Sequence, residues 1–314
     1  METQRYAAID IGTVTCRLLI ADVDERGLHE VLKRCSITDL GEGVDASGVL
    51  LDAAMQRVDE CIASYMQDID QCTECGQTIE LVAVATSASR DARNAPTFID
   101  MLARRGVRLS VIPGDREAAL SFKGASVGLE GRHLVVADIG GGSTELVAGI
   151  GGGEPLLAHS FDVGCRRVTE RFIRSDPPAP EEIAAACDWF HPQFAEFFNT
   201  LAVRGFEIDS LVAVAGTATS IVSVDQHMET YDSARVDGTE VFPVTLASVL
   251  DRLAGLSLEQ RCHVTGLQSG RAPVIVAGAL ILQDVLKLAH TGSFIVSESD
   301  ILQGMVMDAA QRSR

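Results

Sequence analysis

The chain lacks any long apolar run. Of its 314 residues 46% are hydrophobic, yet the apolar stretches are strand-sized or broken by glycine and charge, which excludes a membrane-spanning helix. Positive charge is scarce: 26 Lys and Arg stand against 44 Asp and Glu, a formal net charge of −18. Such a chain repels nucleic acid and anionic lipid unless a local basic patch overrides the field. The opening METQRYAAIDIG has no basic segment followed by an apolar core, so no signal peptide is expected and the location expected is cytoplasmic. Cysteine patterns that bind metal are also missing. Eight cysteines are present, but Cys72 and Cys75 form a lone CxxC with no second CxxC or HxxxH to complete a zinc site. The pair reads as a loop between a helix and a strand, and the cysteines are expected to be reduced.

What is present is an alternation of short apolar runs and glycine-rich turns. Residues 5–11, 16–23 and 28–36 read as a meander of three antiparallel strands. A helix follows over 50–69, a strand over 79–88, a helix opened by proline over 96–105, a strand over 107–112 and a helix over 115–124. The pattern then restarts. Strands are expected at 133–139, 144–150 and 154–161, helices at 164–174 and 180–201, a strand at 211–216 and a helix from Thr217. The remainder is mostly helical, with one more strand at 293–297. AAIDIGTVTCRLLIADV near the start matches LVVADIGGGSTELVAGI in the middle, so Asp10 and Asp138 are equivalent. Two copies of one unit imply two like domains, residues 1–125 and 126–298, with a cleft between them and the last helix, about 299–314, packing back on the first. Clefts at domain junctions are common ligand sites.

The most informative stretch is Asp138-Ile-Gly-Gly-Gly-Ser-Thr-Glu145. Gly140, Gly141 and Gly142 let the backbone approach a ligand, and successive N–H groups in such a turn form an anion-binding concavity. Ser143 and Thr144 add hydroxyls. Asp138 and Glu145 would repel each other without a hard cation, and Mg²⁺ suits carboxylate plus phosphate oxygen, with Mn²⁺ as the alternative. The first copy offers Gly12, Thr13 and Thr15 as matching donors, Arg17 as a cation and Asp10 as a further candidate metal ligand. Arg90, in ATSASRDARN, sits where a strand end feeds a helix and is a candidate anion contact. Glu117 falls in the first turn of a helix, where an acid serves as helix-dipole partner or as general base. None of the seven histidines lies beside a phosphate-type loop. Arg166, Arg167, Arg171 and Arg174 crowd one short helix, with 167, 171 and 174 at helical spacing, and the arginine fork suits phosphate. Gly216 and Thr217, at a strand–helix junction, read either as phosphate or nucleoside neighbours or as close-packing residues.

In this order, DIGT with Arg17, ATSASRDARN, GDREA, DIGGGSTE, GCRRVTERF and GRAPVIVAGALIL resemble the exopolyphosphatase/guanosine pentaphosphate phosphohydrolase family over about residues 5–308. That family belongs to the superfamily of actin, sugar kinases and heat-shock ATPases. The resemblance implies two ribonuclease H-like α/β domains, with Glu117 at the catalytic-base position. Asp138 and Glu145 fall at the metal-associated positions and Gly140–Thr144 form the phosphate loop, while Arg90 and Arg167 match family arginines. It implies a metal-dependent phosphoric anhydride hydrolase acting on inorganic polyphosphate or on guanosine pentaphosphate, and by analogy with short members a homodimer. A non-catalytic polyphosphate or nucleotide sensor is the other class of reading. Departures are Val14 where Asn is usual, Pro273 where Asp is common and Gln303 where Glu is frequent. Longer members carry extra C-terminal helical domains that help hold long polyphosphate; the two core domains are what the resemblance covers here.

Overall fold

The computed structural model describes residues 3–73 and 78–313. Cys75, and with it the CxxC, lies outside the described residues. The chain divides into two compact units, one reaching to Gly124 and resuming at Ile301, the other spanning Ala125–Asp300.

In the first unit β1 (Gln4–Ile11), β2 (Thr15–Asp24) and β3 (Gly27–Ile37) form an antiparallel meander. The chain continues through α1 (Asp52–Gln71), β4 (Glu80–Ala85), α2 (Ser87–Asp91), α3 (Ala95–Ala103), β5 (Leu109–Val111) and α4 (Gly114–Ala125). β4 lies parallel to β1 and β5 parallel to β4, giving the order β3-β2-β1-β4-β5. β1 reads as an unbroken apolar run because the sheet is covered on both faces. Ala7, Ile9 and Ile11 join the cluster that includes Val58 and Ile62 of α1 and Phe98 of α3. Tyr6 and Ala8, at alternate positions, join the cluster that contains Ile301, Leu302, Met305 and Val306. The helix Ile301–Arg312 thus closes the second face. It approaches α4 so nearly that a Cβ on Gly304 would lie 2.0 Å from the Leu120 carbonyl oxygen.

One ion pair ties α1 to the chain after α3. Arg105 donates from Nε and Nη2 to the two carboxylate oxygens of Asp59, at 2.9 and 2.5 Å. This hydrogen bonding holds the Asp59 carboxyl below its usual range. A depressed folded-state value gives stability that is present above the unfolded pKa of about 3.9 and lost as pH falls through the folded one. Asp59→Asn is therefore expected to cost about 1 kcal/mol at neutral pH, no more because Arg105 is half-exposed. Denaturant unfolding of both proteins at pH 7 and pH 3 checks this: the gap narrows at the acid end.

In the second unit β6 (His133–Ile139), β7 (Thr144–Ile150) and β8 (Pro155–Phe161) form the meander. α5 (Cys165–Phe172), α6 (Pro180–Val203), β9 (Ser210–Val214), α7 (Ala215–Asp225), β10 (Glu240–Val241), α8 (Ile275–Ala289) and β11 (Phe294–Val296) follow. The order is β10-β11-β9-β6-β7-β8, with β9 parallel to β6 and β11 parallel to β9. Each sheet therefore has an antiparallel meander whose first strand is flanked by a parallel strand. That is the ribonuclease H-like arrangement that the family resemblance implies.

Local expectations are corrected at four points. The strand expected over 79–88 stops at Ala85, and Ser87–Asp91 is helical because Ser89 and Arg90 N–H both turn back to the Thr86 carbonyl. The strand expected over 211–216 ends at Val214, since Ala215 takes a left-handed φ of 67° and turns the chain into α7. α5 ends at Phe172 with Ile173 extended, so Arg174 does not share a helical face with Arg167 and Arg171. A further short strand, β10, pairs antiparallel with β11.

Candidate active site

Strand register gathers the first unit's candidate residues. Ile11 of β1 lies beside Ala85 of β4, and Ala85 beside Val111 of β5. The three segments that follow therefore leave one sheet edge side by side. The β1–β2 turn is closed by Gly12 N–H donating to the Thr15 carbonyl at 2.8 Å. Asp10 faces Arg17 across the strand pair, and Arg17 donates to Asp10 Oδ2 from Nη2 at 2.7 Å and from Nε at 3.0 Å. The candidate metal ligand Asp10 and the candidate anion contact Arg17 are thus partners of one another. Val14 is buried, so the side chain standing where Asn is usual packs inward.

Arg90 and Glu117 come together at the same edge. Arg90 sits on α2 after β4 and Glu117 in the first turn of α4 after β5. Arg90 Nη1 donates to Glu117 Oε2 at 2.6 Å and to the Ile112 carbonyl at 3.0 Å. The carbonyl bond fixes the guanidinium, and the guanidinium in turn orients a buried carboxylate.

In the second unit Asp138 and Glu145 are direct cross-strand partners, with Ile139 and Thr144 the last pair before the turn. Both carboxylates are buried, at 6% and 1% exposure, so two like charges share a desolvated edge. Ser160 Oγ donates to Glu145 Oε1 at 2.6 Å from the adjoining strand. The turn between them has its carbonyls occupied. Gly140 O accepts from Cys165 N–H at 2.9 Å, Gly141 O from Arg166 and Arg167 N–H at 2.9 and 3.2 Å, and Gly142 O from Arg167 Nε at 2.8 Å. The first turn of α5 thus holds the carbonyl side of the turn. The N–H groups of Gly141, Gly142 and Ser143 have no protein acceptor among the described residues, leaving donors for an anion. Thr144 Oγ1 is turned away, donating to the Val163 carbonyl at 2.5 Å.

Two carboxylates without a third acid, His or Cys fit a cation that takes its other ligands from water and phosphate. Among the described residues no group of three such side chains is assembled for a metal. Mg²⁺ commonly binds in this way, through one or two carboxylates.

Of the arginine cluster, Arg167 joins the turn, Arg166 pairs with Glu170 at 3.3 Å and Arg171 lies 5.1 Å from the Trp189 ring centroid. Thr217 is buried against Gly278, where a Cβ would fall 2.5 Å from Thr217 Oγ1, so close packing accounts for it. Gly216 lies under the Arg271 guanidinium, whose Nη1 would be 1.7 Å from a Cβ there. Arg271, Ser160 and Gly164 are absent from the sequence-based candidates. Period-two spacing on β8 marks Ser160 as a neighbour of Glu145 once the register is known. The GRAP motif signals Arg271 without saying what it meets.

Two duplicated α/β units, each with a glycine–hydroxyl turn beside an acidic strand end, define a class of phosphate-handling proteins. The chain belongs to the Ppx/GppA phosphatase family, whose pattern it matches over residues 19–313. It is 36% identical over 326 residues to exopolyphosphatase 2 of Mycobacterium tuberculosis, covering 99% of this chain and 100% of that protein. Among solved structures, an exopolyphosphatase-like protein superposes with a TM-score of 0.88 at 32% identity, covering 100% of this chain and 99% of the other. An exopolyphosphatase from Cytophaga hutchinsonii gives a TM-score of 0.88 at 25% identity, with 98% of each chain covered.

Proposed function

We propose that the protein is a metal-dependent exopolyphosphatase that hydrolyses the terminal phosphate of inorganic polyphosphate. The observation that carries this reading is the buried Asp138–Glu145 pair flanking a turn whose N–H groups are left to an anion. In the first unit Glu117 takes the proton of the attacking water, and Arg90 holds that carboxylate in place. The donors of Thr13 and Thr15 bind phosphoryl oxygens, in a turn that Gly12 closes through its N–H to the Thr15 carbonyl. In the second unit the N–H groups of Gly141, Gly142 and Ser143 do the same, with charge developing on the transferred group as it separates. Arg167 holds the turn through the Gly142 carbonyl. Asp138 and Glu145 would hold Mg²⁺, or Mn²⁺ in its place, and the ion would supply neutralisation of phosphate charge. Such local donors offset a net charge of −18 that otherwise repels a polyanion.

The test is phosphate release over time from long-chain polyphosphate with Mg²⁺, run beside guanosine pentaphosphate and ATP. Release from polyphosphate above the other two is the expected result. Release from the guanosine compound alone replaces the substrate and keeps the mechanism. No release from any of them, with folded protein and Mn²⁺ also tried, leaves a binding protein and overturns the enzyme.

A further inference from the structure

The β1–β2 turn is not shaped by its own strands alone. Residues 38–42, running on from β3, form a strap across it. Thr38 and Asp39 N–H both donate to the Val14 carbonyl, at 3.0 and 2.9 Å, and Gly41 N–H donates to the Thr13 carbonyl at 2.8 Å. The fit is close, since a Cβ on Gly41 would lie 2.1 Å from Thr13 Cγ2. Asp39 takes a left-handed φ of 50°, a conformation that costs free energy in a residue with a side chain and persists only where its surroundings impose it.

Besides the bonds of the strap itself, side-chain donors from α1 hold this conformation. Arg57 Nε donates to the Thr38 carbonyl at 2.7 Å, and Nη2 donates to the Asp39 carbonyl at 3.1 Å and to Glu42 Oε2 at 2.9 Å. The first of these bonds falls on the peptide that joins Thr38 to Asp39. The N–H of that peptide donates to the carbonyl of the Val14–Thr15 peptide. A cation thus polarises one peptide, which polarises the next, and the second is part of the phosphate turn. Hydrogen bonds in such a chain strengthen one another.

We propose that Arg57 is a positioning residue for the Gly12–Thr15 turn, acting through Thr38, Asp39 and Gly41 without touching substrate. This rests on the reading of that turn as a phosphate loop. Three measurements test it on the full chain. The first is steady-state phosphate release from polyphosphate by Arg57→Ala and Arg57→Lys. Arg57→Ala is expected to lose about ten- to a hundredfold in kcat, the loss that an ångström-scale misplacement brings. Arg57→Lys, which keeps a charged donor, is expected to recover much of it. The second is a double-mutant cycle with Gly41→Ala: two changes acting through one strap give losses that do not add. The third needs no activity. Hydrogen exchange at Gly12, Thr38, Asp39 and Gly41, whose N–H groups make the turn and strap bonds, is expected to speed up in Arg57→Ala by tenfold or more while core amides such as Ile9 and Leu18 keep their protection.

An active wild type with an unchanged Arg57→Ala variant, or losses that add, overturns the proposal and leaves the exopolyphosphatase reading standing. A wild type that releases no phosphate defeats that reading, and exchange then decides for Arg57. Unchanged protection at Gly12, Thr38, Asp39 and Gly41 overturns it whatever the activity.

Discussion

Glu117→Gln is expected to lower kcat for phosphate release from polyphosphate by about 10²- to 10⁴-fold, the usual worth of a general base, while polyphosphate still binds. The amide keeps the size of the side chain and a carbonyl oxygen for Arg90 Nη1, which donates at 2.6 Å in the native protein. What it removes is the capacity to accept a proton. Arg90→Met removes the partner instead. It leaves a buried carboxylate without the guanidinium that orients it, and activity falls with the base still present. Binding measured beside turnover separates these effects from unfolding. A Glu117→Gln enzyme that turns over within a few-fold of wild type removes Glu117 from the role of base.

Gly164→Ala is expected to be nearly as damaging, although Gly164 carries no functional group. A Cβ there would lie 2.3 Å from Gly141 O, 2.4 Å from Gly141 C and 2.5 Å from Gly142 C. These are backbone atoms of the phosphate turn and have no rotamer to yield. Either the turn or the start of α5 must move, and the bonds from Cys165, Arg166 and Arg167 N–H to Gly140 and Gly141 cannot all survive. Overpacking of this kind costs about 1–3 kcal/mol, and displacement of the turn by an ångström costs about 100-fold in rate. The measurement is kcat together with thermal unfolding. Full activity in Gly164→Ala means that the anion donors of Gly141–Ser143 tolerate displacement, which contradicts the part assigned to them.

The duplicated fold was legible because its sheets are covered on both faces. β1 and β6 read as apolar runs ending in Asp10 and Asp138, and a four-residue turn after Ile139 brings Glu145 opposite Asp138. Local spacing carries that information. It does not carry contacts between elements distant in the chain. Gly164 has no meaning until α5 is laid on the turn, and Arg271 none until its guanidinium is seen over Gly216. The strap at residues 38–42 was likewise invisible, since Arg57 reaches it from a helix whose apolar spacing says nothing of its polar face. Small hydroxylated residues misled in the other direction. Thr86-Ser-Ala-Ser suits a strand as well as a helix start, and only the Thr86 carbonyl, taken up by Ser89 and Arg90, decides between them.

The first unit does not complete its core from its own opening segment. Tyr6, Ala8 and Leu19 are covered by Ile301, Leu302, Met305 and Val306, nearly three hundred positions later. A chain emerging from the ribosome therefore has that face only partly covered, by Ile112 and Leu120, until the helix from Ile301 arrives, while Ala125–Asp300 has every strand of its sheet in hand earlier. The half that begins first finishes last. For that interval the newborn protein displays apolar sheet surface, the kind of exposure that makes unfinished chains prone to aggregate.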